Sequence, residues 1–122
     1  NSIITNKKII KKSKSYKFYN NSLFVLDSDR VLNAYNILNN KLFWKIDLSK
    51  IIKKNRSIIN ISSSNEFLYF FFDKKIILVI NYKTGNIIES INLNSKKLNK
   101  IKFYKNKIIA IDNHGNMNIF SQ

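Results

Sequence analysis

Apolar residues fall into short runs separated by polar clusters, and the clusters recur every eight to twelve residues. Leu23 to Leu26, Val31 to Tyr35, Leu42 to Leu48, Ile58 to Ile61, Phe67 to Phe72, Ile76 to Ile80 and Ile87 to Leu93 are such runs. Tyr16 and Phe18 alternate with Lys17, the period of two of a half-buried strand. Asn20-Asn21, Asp27-Ser28-Asp29, Asn39-Asn40, Ser62 to Asn65, Asp73-Lys74-Lys75, Lys83 to Asn86 and Asp112 to Gly115 supply the turns. No segment sustains a helical period. Ile51-Ile52, inside the polar connection Ser49 to Ser57, could occupy one helical turn, but β-branched residues disfavour it. The pattern predicts an all-β chain.

The runs repeat. The layout of Ser22 to Leu48 returns 45 positions later at Phe67 to Leu93, and in part at Ile108 to Phe120. Leu23 aligns with Leu68, Val25 with Phe70, Leu32 with Ile77, Asn36 with Asn81, and Leu42 with Ile87. About four strands per forty-odd residues is the pattern of a β-propeller blade. Residues 1–14 then end one blade, 15–48 and 58–93 form two more, and 98–122 form an incomplete one. The unbroken Phe67 to Phe72 run fits a strand buried on both faces. Three units cannot close a ring of about four to eight blades. The chain is accordingly expected to be a C-terminal fragment of a larger ring, with Gln122 at or near the natural end.

The stretches Leu23 to Asp29, Leu32 to Asn36 and Asn39 to Leu48 resemble the pyrroloquinoline-quinone-type propeller repeat. That repeat runs from an apolar strand through an Asp-containing turn to an Ala-Leu-Asp-like strand. It ends in a Thr-Gly-Lys-like turn and a strand with a docking Trp. Val79 to Asn81 with Thr84-Gly85-Asn86 matches in the second unit, although Glu89 stands where the Trp belongs, and Ile111 to Asn116 matches in the third. The resemblance implies that Trp44 packs between blades, where truncation to Ala would cost about 3–5 kcal/mol. In character the repeat is most similar to the propeller lipoproteins that assist outer-membrane barrel assembly. Quinoprotein dehydrogenases of the same repeat bind a quinone and calcium, but their cysteine pair and convergent carboxylates are missing here. The Gly-His and Trp-Asp dipeptides of WD repeats are absent too.

Charge adds little to this picture. The formal net charge is +15, yet Asn, Lys and Ile make up about half of the chain, as an A/T-rich genome would produce. The lysines sit in pairs at turns and linkers (Lys7-Lys8, Lys11-Lys12, Lys53-Lys54, Lys74-Lys75, Lys96-Lys97) rather than in one arm, so nucleic acid is not the expected partner. Cysteine is absent, which removes disulfides and thiolate zinc sites. The apolar runs are far shorter than the ~20 residues of a transmembrane helix.

Candidate chemistry is sparse. His114, the one histidine, stands in an Asn-His-Gly-Asn turn and reads as a surface residue. Asp27, Asp73 and Asp112 occupy near-equivalent turn positions, which suits turn capping better than ion binding. Ser62-Ser63-Ser64 lacks a nearby base, and Gly85 and Gly115 stand singly rather than in a phosphate loop. No catalytic, cofactor-binding or metal residue is assigned and no cofactor is expected. The structural positions are Trp44, Gly85, Gly115, Asp27 and Asp112. The function expected is a non-catalytic scaffold for protein partners such as outer-membrane barrel-assembly components, in the periplasm or at the outer membrane. Remaining blades of the parent chain, or a second copy, would cover its open faces. The alternatives are a fragment of a quinone-dependent dehydrogenase, or a cytoplasmic or organellar propeller binding protein or RNA through basic loops.

Overall fold

The computed structural model describes residues 13–73, 76–92, 98–104 and 107–121, all of them strand, turn or connection. The blade end assigned to residues 1–14 lies almost wholly outside the described residues. Four strands form the first sheet: β1 (Ser13–Tyr19), β2 (Ser22–Asp27), β3 (Val31–Asn36) and β4 (Leu42–Asp47). The second is β5 (Ile58–Ser64), β6 (Phe67–Phe72), β7 (Ile76–Asn81) and β8 (Ile87–Asn92). The third has β9 (Leu98–Tyr104), β10 (Lys107–Asp112) and β11 (Met117–Ser121). Each sheet is an antiparallel meander in which consecutive strands are neighbours. Among the described residues no helix is long and apolar enough to cross a membrane.

The repeat extends to the irregularities. In the first sheet Lys14 is the unpaired residue between Ser13↔Asp27 and Ser15↔Leu26. Ile59 in the second and Asn99 in the third are skipped in the same way, at Ile58↔Phe72 and Leu98↔Asp112. A second bulge skips Phe43 between Ala34↔Trp44 and Tyr35↔Leu42, and Ile88 at the matching place in the second sheet. Bulges bend a strand and increase its twist, so the sheets share one curvature. The third unit follows five residues sooner than the second because its connection is 93–97 rather than the longer 48–57.

The main core lies between the first two sheets. Phe24, Leu26, Leu32 and Ala34 face Leu68, Phe70, Phe72, Leu78 and Ile80. The Phe24 ring meets Phe70 edge to face, with centroids 5.0 Å apart. On the other face of the second sheet Tyr69, Phe71, Ile77 and Val79 form a separate cluster. Strands β6 and β7 are thus buried on both faces, which is why their residues show no alternation.

Two expectations are corrected. Tyr16 and Phe18 do alternate with Lys17, but they are 61% and 64% exposed, on a face that nothing described covers. The counterpart of Tyr16 in the second sheet, Ile61, is only 7% exposed because it joins the core between the two sheets. The serines of Ser62 to Asn65 are not a turn. They continue β5, paired with Tyr69, Leu68 and Phe67, and Asn65 alone takes the positive φ (57°) that the tight reversal needs.

The chain passes from the first sheet to the second so that β5 starts beside β1. The Ser15 hydroxyl accepts a hydrogen bond from the Ile58 N–H at 3.1 Å. The connection is itself anchored. Ile51 and Ile52 N–H both donate to the Leu48 carbonyl, and Arg30 Nη1 donates to the carbonyls of Ser49 and Ile52 at 3.1 Å each. Leu48 and Ile52 enter the core. A segment that reads as a polar linker therefore sends Ile52 into the core, with Ile51 packed against it.

Candidate functional site

Equivalent turns gather at one end of the sheets. At the β3–β4 turn, Asn36 N–H donates to the Lys41 carbonyl (2.8 Å), Asn40 N–H to the Asn36 carbonyl (2.9 Å) and Leu38 N–H to Asn36 Oδ1 (2.8 Å). The β7–β8 turn repeats these bonds from Asn81: Asn81 to Asn86 (2.9 Å), Gly85 to Asn81 (2.8 Å) and Lys83 to Asn81 Oδ1 (3.0 Å). Asn40 (φ 60°) therefore does at its turn what Gly85 (φ 76°) does at the other. Both residue types tolerate the left-handed region.

Only glycine fits at 85 for a second reason, which is Trp44. The indole, 8% exposed, reaches from β4 onto the β7–β8 turn of the neighbouring sheet. Its Nε1–H donates to the Tyr82 carbonyl at 2.8 Å, and its ring lies 5.8 Å from Phe24. A Cβ on Gly85 would sit 2.7 Å from Trp44 Cγ. The indole thus bridges the first two sheets at their outer side.

Inward of Trp44 the two sheets leave a cleft of about 470 Å³. Its walls are the rings of Tyr19, Phe24, Phe43, Trp44 and Tyr82. Ser22, Ser63, Asn20 and Asn65 add hydroxyl and amide groups, and Lys83 is the one charged side chain of the lining. Tyr19 and Ser63 share a hydrogen bond of 2.7 Å from sheet to sheet. Phe43 and Tyr82 are 54% and 44% exposed, so two aromatic rings reach solvent. Besides Lys83, the lining offers apolar surface and neutral hydrogen-bonding groups, with no carboxylate or histidine among them.

The remaining singled-out residues lie elsewhere. Asp27 Oδ1 accepts from the N–H groups of Asp29 (2.9 Å) and Val31 (3.0 Å), closing the β2–β3 turn. Asp112 does the same for His114 and Asn116, both at 2.9 Å, and Gly115 (φ 81°) takes the place of Arg30 (φ 65°). Asp73 departs from its grouping with them. It stands one position later in register, since Phe72 is the residue paired as Asp27 is, and its carboxylate accepts from Ser57 N–H across to β5 at 2.8 Å. His114 is exposed at its turn. The Ser49 N–H bond holds the Asp47 carboxyl below its usual value. Burial pushes the Tyr69 hydroxyl up, and does the same for Tyr35 with help from the Asp27 charge. Among the described residues no three His, Asp or Glu side chains gather as a metal site.

Apart from Trp44, the residues of the cleft belong to no motif that a single unit displays. A signal was present in the repeat itself. Ser22 and Ala34 stand where the second unit has Phe67 and Val79. Two small residues at positions that can be large mark a space, but only an aligned pair of units shows it.

No protein-family model matches the chain, and no curated protein matches it. Solved structures do. BamB from Moraxella catarrhalis superposes with a TM-score of 0.58 at 15% identity, over 88% of this chain and 31% of that one. The WD40 repeats of RRP9 give 0.66 at 9% identity, over 93% of this chain and 37% of that one. The WD40 domain of SCAP from fission yeast gives 0.57 at 16%, over 84% and 28%. The chain thus spans about a third of the length of these proteins. All are β-propellers, and the fold of this chain is theirs: two four-stranded blades followed by a third sheet of three described strands.

Proposed function

We propose that the chain is part of a non-catalytic propeller scaffold that binds protein partners at the end bearing the Asn36 and Asn81 turns. The observation that carries this reading is the aromatic-walled cleft at that end, open to solvent at Phe43 and Tyr82 and with no carboxylate or histidine in its lining. Pockets that fix a partner combine apolar walls with a few placed polar groups, and aromatic residues dominate interface energetics.

Within propellers, we assign the repeat to the pyrroloquinoline-quinone type, on the side of the outer-membrane barrel-assembly lipoproteins. Trp44 on the outermost strand, seated on a Gly85 turn of the next blade, is the docking arrangement that this repeat implies. The likeness to BamB is compatible with that assignment. Barrel-assembly components at the outer membrane are then the partners, reached from the periplasm. Photo-crosslinking residues placed at Phe43 and at Tyr82 of the intact protein test this in cells. Adducts with barrel-assembly components from both positions are the expected result. Adducts with cytoplasmic proteins alone, or none from either position, would overturn it.

A further inference from the structure

The repeat gives the cleft an internal control. The fold does not require the space, because the second unit places Phe67 and Val79 where the first has Ser22 and Ala34. Ala34 is the cross-strand partner of Trp44, so its small size is matched to the indole. Ser22 has no such compensation. It leaves an opening bounded by Tyr19, Phe43 and Tyr82, two of which hold large ring surfaces in water. Exposed aromatic surface around a concavity is the mark of an occupant.

The lining also defines what that occupant carries. Ring walls accept an aromatic side chain. Neutral amides at Asn20 and Asn65 can bond a peptide backbone at the rim. Lys83 is the lining's only charge and the lining holds no carboxylate, so an acidic group belongs on the ligand beside the aromatic one. Resting on the scaffold reading above, we infer that this cleft binds a partner peptide through an aromatic side chain flanked by carboxylates, the ring entering over Ser22 and a carboxylate meeting Lys83.

The probe is a fluorescein-labelled Gly-Asp-Phe-Asp-Gly peptide titrated into the intact protein and read by anisotropy. Saturable binding is expected, weakened roughly ten- to a hundredfold when its Phe is replaced by Ala, as for loss of one buried ring. Exchange of both Asp for Lys weakens it about tenfold or less, as for a rim charge. Ser22→Phe, which copies the residue of the second unit, fills the opening and lowers affinity at least as much as the Phe-to-Ala peptide does. Lys83→Glu, on an exposed turn, reverses the preference between the acidic and the basic peptide. It serves as the second arm should Ser22→Phe disturb the urea midpoint. Absence of saturable binding, equal affinity for the acidic and basic peptides, or full affinity in a folded Ser22→Phe protein would each overturn the inference. The outcomes separate the two readings. Envelope adducts that survive Ser22→Phe while the peptide fails to bind sink the cleft and leave the scaffold standing.

Discussion

Gly85 and Gly115 are the two glycines of the chain, and both have a left-handed backbone, with φ of 76° and 81°. Substituting Ala at either imposes the same backbone cost, about 1–2 kcal/mol for an L-residue forced into that region. They differ in what the new methyl would meet. At Gly115 nothing lies within 4 Å, whereas at Gly85 the methyl falls 2.7 Å from Trp44 Cγ, 2.9 Å from its Cβ and 3.0 Å from its Cδ2. Ordinary carbon–carbon contact is about 3.5–4.0 Å, so the indole or the turn must move, and overpacking of this kind costs about 1–3 kcal/mol. Gly115→Ala should then lose about 1–2 kcal/mol and Gly85→Ala about 2–5 kcal/mol. Asn40→Gly serves as the control in the opposite direction. It sits at the matching turn with φ 60°, and its change should be within about 0.5 kcal/mol. Equilibrium urea unfolding of the three variants, followed by Trp44 fluorescence and by circular dichroism, gives the differences. Equal losses at Gly85 and Gly115, within about 0.5 kcal/mol, would refute the seating of Trp44 on the neighbouring turn.

Two further outcomes follow from single hydrogen-bonding groups. Asp27→Ala removes the acceptor of the Asp29 and Val31 N–H groups and should cost about 1–2 kcal/mol, measured by the same unfolding experiment, with Asp27→Asn recovering part of it. Asp47 should titrate below 3.8 by carboxyl NMR, because the Ser49 N–H favours its charged form. The sign follows. What that bond adds to stability is present above the unfolded-state pKa and disappears as the pH falls through the lower folded value.

The strands and their repeat are legible in the sequence because a pleated, half-buried strand must alternate and a doubly buried one must not. Val25 and Phe70, or Leu32 and Ile77, occupy the same place in successive sheets and are buried in both. Most turns are legible too, since few residues tolerate the backbone that Asn40 and Gly85 adopt, although Ser62 to Ser64 read as a turn and extend β5 instead. Burial between sheets was harder to read. Ile52 sits in a polar segment, yet it enters the core because Arg30 folds that segment back over the sheet. Tyr16 and Phe18 carry the pattern of a buried face, and whether such a face is covered depends on chain beyond it. Asp73 shows the remaining difficulty: one position of register turns a cap for its own turn into a tie to β5. The cleft is least legible of all, since it is defined by what Ser22 does not fill.

The stacking of the first two sheets around Trp44 underlies both the fold assignment and the cleft. A NOESY spectrum of the isotopically labelled protein tests it directly. Cross-peaks are expected from the Trp44 indole protons to the Gly85 Hα protons and between the Phe24 and Phe70 rings, with the Trp44 Nε1–H slow to exchange with solvent. Loss of both sets of cross-peaks in a folded protein, with the indole N–H exchanging freely, would contradict it.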